Sequence, residues 1–106
     1  MSGDNWVRAA ATSEVAEGEP LGSKAGGRDI AIYLVDGTYF ATSNVCTHAF
    51  ALLSDGWLEG CTIECPLHNG RFDIRTGHAL SSPVERDLET FAVEVRDGAL
   101  YVRLPS

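Results

Sequence analysis

Asp29-Ile30-Ala31-Ile32-Tyr33-Leu34-Val35-Asp36-Gly37-Thr38-Tyr39-Phe40-Ala41-Thr42 is two β-forming runs around an Asp-Gly dipeptide. β-Branched and aromatic residues favour the pleated strand, and Asp-Gly supplies the two left-handed positions of a tight hairpin turn. The same signal recurs near the other end. Thr90-Phe91-Ala92-Val93-Glu94-Val95 alternates with period two, and Asp97-Gly98 turns it into Ala99-Leu100-Tyr101-Val102-Arg103-Leu104. Trp6-Val7-Arg8-Ala9-Ala10 reads as a first strand, whereas Ser13–Gly18 has room for one helical turn only. The expected class is therefore all-β: an antiparallel sandwich or barrel-like base.

Between the hairpins the chain changes character. Gly56, Gly60, Gly70 and Gly77 punctuate short segments such as Cys61-Thr62-Ile63-Glu64 and Arg71-Phe72-Asp73-Ile74, and every cysteine and histidine falls within this region. The reading is one domain of 106 residues. A base of 1–43 and 84–106 carries a small inserted subdomain, 44–83.

Bulk composition excludes some functions. With 15 acidic against 8 basic residues and a formal charge of −7, the chain lacks the basic face that nucleic acid or anionic membrane would need. Neither a basic-then-apolar leader nor a membrane-length apolar run is evident, so the expected location is the cytoplasm. Three cysteines, Cys46, Cys61 and Cys65, are an odd number in such a chain. That favours metal binding over a disulfide framework.

The chemistry-bearing signal is Cys46-Thr47-His48, then 16 residues, then Cys65-Pro66-Leu67-His68. Each segment offers one thiolate and one imidazole, so two loops together supply two sulfurs and two nitrogens. One zinc ion and a binuclear iron–sulfur cluster compete for that set. Structural zinc sites pair like ligands locally, with two to four residues between cysteines and three to five between histidines. Here both local pairs are mixed, and the first has a single intervening residue, which favours the cluster. Cys61 is expected as a small core or surface residue, His78 as an exposed side chain and Trp57 as core. Asp55, Glu59 and Glu64 are expected on a solvated face, and Phe50 is open between core and partner contact.

The two segments, the run Glu64-Cys65-Pro66-Leu67-His68-Asn69-Gly70-Arg71-Phe72-Asp73, and Thr76-Gly77 followed by Pro83 resemble a Rieske-type ferredoxin. The resemblance covers nearly the whole chain. It points to the small ferredoxin components of bacterial aromatic-ring-hydroxylating dioxygenase systems, of the naphthalene and biphenyl type, and so to aromatic hydrocarbon catabolism. It implies one [2Fe–2S] cluster per chain, with Cys46 and Cys65 on one iron and His48 and His68 on the other. It also implies that the segment around Pro83 folds over the cluster as a third loop. The partners it implies are an NAD(P)H-dependent flavin reductase and a terminal non-haem iron oxygenase, with the carrier itself a monomer and not an enzyme.

Departures from the respiratory and photosynthetic members refine the expectation. Their inter-loop disulfide would fall at Ala51 and Leu67 here, so it cannot form. Their serine and tyrosine hydroxyls near the cluster correspond to Gly70 and Phe72. Fewer hydrogen bonds to cluster sulfur destabilise the reduced state, giving an expected potential near the low end of the Rieske range, about −150 mV. A second, catalytic iron needs two histidines and a carboxylate. After His48 and His68 only His78 remains, so the chain is read as delivering electrons without activating oxygen. The alternatives are the Rieske-like small subunit of a nitrite reductase and a zinc-stabilised β binding domain.

Overall fold

The computed structural model describes residues 5–47, 51–67, 70–81 and 86–105. Among these are ten strands: β1 Asn5–Ala11, β2 Leu21–Ala25, β3 Arg28–Val35, β4 Thr38–Ser43, β5 Trp57–Glu59, β6 Thr62–Glu64, β7 Arg71–Asp73, β8 Thr90–Phe91, β9 Val93–Arg96 and β10 Ala99–Leu104. They form three antiparallel sheets, ordered β1-β10-β9, β2-β3-β4-β8 and β5-β6-β7. The expected all-β class is what the chain adopts.

Both Asp-Gly turns form. Asp36 and Gly37 have φ of 51° and 77°, and Asp97 and Gly98 have 48° and 76°. Two consecutive positive φ values match the right-handed twist of the flanking strands, which is why these dipeptides close two-residue hairpins.

β3 organises the molecule because both of its faces are buried. Ile30 and Ile32 point into a core between the first two sheets, shared with Ala10, Phe91, Leu100 and Val102. Ala31 and Tyr33 point the other way, into a second core with Cys46, Leu53, Ile63, Cys65, Phe72 and Ile74. Period-two side-chain alternation thus makes one strand the shared wall of the sandwich and of the cysteine-containing core. Within that second core the Tyr33 hydroxyl meets Thr42 Oγ1 at 2.9 Å. Burial holds the phenol far above its ordinary pKa, so it stays protonated.

Two features depart from the sequence reading. The run 90–95 is not one strand. Thr90–Phe91 pairs with β4, and Val93–Arg96 pairs with β10 in the other sheet. At Ala92 the chain crosses between sheets, its carbonyl accepting from Arg103 N–H at 3.0 Å. The inward side carries through the crossing to Val93, which packs on the first core, whereas Val95 is exposed. Second, Leu21–Ala25 forms a strand that its Gly-containing composition did not announce. It is held along β3 from Leu21↔Ile32 to Ala25↔Arg28. The turn is Gly26-Gly27, with φ of 57° and 81°.

Candidate metal centre

The first cysteine loop leaves the end of β4. Val45 pairs with Leu52 in an isolated bridge, and within it the Cys46 N–H donates to the Ala51 carbonyl at 2.9 Å. The second leaves the end of β6, and there the Cys65 N–H donates to the Gly70 carbonyl at 2.7 Å. In both loops the cysteine N–H reaches the carbonyl five residues on. Two loops of separate origin therefore share one closure geometry, and each turns its cysteine inward.

Those cysteines meet. Cys46 is 4% exposed and Cys65 is fully buried, both within the second core. Cys46 and the Leu67 backbone N–H both lie close enough to the Cys65 thiol to perturb its ionisation. Burial raises the Cys65 thiol pKa; the Leu67 N–H opposes that shift, and the Cys46 thiol adds to it. The desolvated Cys65 thiol would hold its proton until a cation displaced it. A backbone N–H that favours the ionised form suits a sulfur that will carry negative charge. His48 and His68 lie outside the described residues, and so does Phe50. Among the described residues alone, no group of three or more His, Cys, Asp or Glu is placed to hold a metal. The buried sulfur pair, with an imidazole two and three residues further along its two loops, fits the donor set of a mixed-ligand [2Fe–2S] cluster.

The surrounding scaffold includes residues that sequence reasoning did not single out. Asn44 is 3% exposed. Its amide grips Ser54, with Nδ2 donating to Oγ at 2.9 Å and Oδ1 accepting from the backbone N–H at 2.8 Å. The Leu53 N–H donates to the Asn44 carbonyl at 2.8 Å. Gly22 leaves space for this clamp, since a Cβ there would lie 2.7 Å from Ser54 Oγ. Thr47, between Cys46 and His48, donates through Oγ1 to the Arg86 carbonyl at 2.9 Å. The Asp87 carboxylate accepts from Ala79 N–H at 2.9 Å and contacts His78 Nδ1 at 3.2 Å. Gly77 packs so closely on the neighbouring chain that a Cβ would lie 2.2 Å from the Leu88 carbonyl. Residues 77–79 and 86–88 thereby clasp the base of the segment containing Pro83, itself outside the described residues.

Other sequence expectations sort as follows. His78 is exposed as expected, although it pairs with Asp87. Cys61 is a free, partly buried thiol packed against the second core. Asp55 and Glu59 are exposed, and Glu64 is half-buried with Arg71 Nε at 3.0 Å. Trp57 is a correction: it is 61% exposed and not core. On β5 it is Leu58 that packs inward, so Trp57 and Glu59 share the outer face, with Trp57 opposite Glu64.

Comparison with known proteins agrees with this geometry. Residues 5–92 match the Rieske [2Fe-2S] domain. The chain is 48% identical over 99 residues to the ferredoxin component of the naphthalene 1,2-dioxygenase system of Pseudomonas putida, covering 93% of this chain and 95% of that one. A solved ferredoxin from Sphingomonas yanoikuyae B1 superposes with a TM-score of 0.90 at 39% identity, covering 95% of this chain and all of that one. A second solved structure is a complex of reduced oxygenase and oxidized ferredoxin in carbazole 1,9a-dioxygenase. It matches with a TM-score of 0.84 at 39% identity and 92% coverage of both chains. The chain belongs to the Rieske [2Fe–2S] domain family and is one of its ferredoxins, a carrier of electrons through that cluster rather than an enzyme.

Proposed function

We propose that this ferredoxin passes single electrons from an NAD(P)H-dependent flavin reductase to the terminal oxygenase of an aromatic-ring-hydroxylating dioxygenase system. Cys46 and Cys65 hold one iron through sulfur, and His48 and His68 hold the other through one ring nitrogen each. The observation that carries this assignment is the burial of Cys46 and Cys65 together in one core, presented by two identically closed loops. When bound, the cluster supplies a one-electron couple.

The chain's own residues then have distinct tasks. Ile63, Phe72 and Leu53 exclude water from the sulfur side. The Leu67 N–H stabilises charge on the Cys65 sulfur. The Asn44–Ser54 clamp fixes the first loop, and Thr47 ties it to the segment that follows Pro83. In this reading residues 44–83 form the cluster-binding subdomain, and 1–43 and 84–106 form its base. The carrier works as a cytoplasmic monomer, where NAD(P)H is at hand. Relatives named as dioxygenase ferredoxin components, and a relative seen with its oxygenase, favour this role over a nitrite reductase subunit.

Reconstituted electron transfer tests it. Reductase and oxygenase from the naphthalene system should together consume NAD(P)H and hydroxylate their substrate only when this ferredoxin is added. A redox titration should place the midpoint near the low end of the Rieske range, about −150 mV. A strongly positive midpoint would reject the role, because a flavin reductase could then load the carrier but the carrier could not pass the electron on.

A further inference from the structure

Ser81 is half-buried, and its hydroxyl oxygen is shielded from solvent yet has no hydrogen-bond partner. Among the described residues it is the only buried side-chain nitrogen or oxygen in that position. Leaving such a group unsatisfied is costly, and native proteins keep few of them. An orphaned donor of this kind calls for an acceptor that the polypeptide itself does not supply.

Its place in the fold indicates which. Phe72 and Ala79 are antiparallel partners, and the Leu80 N–H donates to the Arg71 carbonyl at 2.8 Å. Ser81 and Gly70 each lie two residues beyond that bridge along their own strands of chain. Gly70 is the residue whose carbonyl closes the second ligand loop on the Cys65 N–H. It is buried and offers no side chain of its own. Ser81 thus follows directly on the bridge that borders the loop carrying Cys65 and His68.

We propose that the Ser81 hydroxyl donates a hydrogen bond to an anionic sulfur of the iron–sulfur centre. The inference rests on the cluster assignment above. Anionic sulfur is the acceptor that the bound centre adds to this part of the protein, and an O–H donor toward it favours the more negatively charged, reduced state. Ser81 is thus a residue that tunes potential from the third loop, where the second loop has only Gly70. This donor raises the potential, and its loss lowers it further.

The test compares four holoproteins: wild type, Ser81→Ala, and the equally shaped pair Ser81→Thr and Ser81→Val. Each is matched for iron content and visible absorbance, then measured by redox titration and by pulsed EPR in H₂O and D₂O. Ser81→Ala and Ser81→Val are expected to shift to a more negative midpoint and to lose one exchangeable-proton coupling. Ser81→Thr is expected to keep both. Wild-type potential and couplings in both Ala and Val variants would overturn the proposal. An iron-free, colourless wild-type protein would instead defeat the cluster assignment, so the two failures are distinct.

Discussion

Cys65 and Cys61 are four residues apart, yet the structure gives them different fates. Cys65 is fully buried against Cys46, whereas Cys61 sits at the β5–β6 turn with its backbone carbonyl bonded to Ile74 N–H at 2.9 Å. Replacing a cluster thiolate removes the soft donor that iron requires, whereas replacing a packing thiol removes only small contacts. Cys65→Ser is therefore expected to lose visible absorbance and most bound iron, while Cys61→Ser retains both; iron assay and absorption spectra decide it. The four candidate ligands were legible because their signal is local: residue type and spacing within two short segments. Asn44 and Ser81 were not, since nothing in Ser43-Asn44-Val45 or Leu80-Ser81-Ser82 says what folds against them. Trp57 misled for the opposite reason, a large apolar ring being the usual mark of core.

At the level of elements, the first cysteine loop is held by a polar clamp between Asn44 and Ser54. Asn44 satisfies Ser54 at two points, and removing its amide takes those partners from a part-buried backbone N–H and hydroxyl. An Asn44→Ala substitution should cost about 2–4 kcal/mol in urea-induced unfolding of the holoprotein. It should also speed iron loss to a chelator, whereas Asn44→Asp, which keeps the acceptor for Ser54 N–H, loses less. Both Asp-Gly hairpins could be read directly because the dipeptide encodes its own turn. β2 escaped because its strand character comes from pairing with β3 and not from its residues, although Gly26-Gly27 did carry a turn signal. The break at Ala92 escaped because hydrophobic alternation reports which side of a strand is buried but not which sheet it joins.

For the molecule as a whole, the charge of −7 governs encounter more than stability. Screening lengths fall from about 30 Å at 10 mM salt to about 8 Å at 150 mM. Electron transfer to a partner with a basic docking face should slow by about tenfold across that range, visible in stopped-flow rates with the reductase or the oxygenase. A salt-independent rate would show that charge does not steer the encounter. Burying both faces of β3 is what lets one small chain carry a sandwich core and a second core around its cysteines. The division of labour between sulfur and imidazole within that second region can be measured directly. Pulsed EPR of the reduced protein should show two strongly coupled nitrogens, one of them lost in His48→Ala and the other in His68→Ala wherever iron is retained. A reduced protein without nitrogen coupling, or a colourless one holding stoichiometric zinc, would contradict the mixed-ligand cluster.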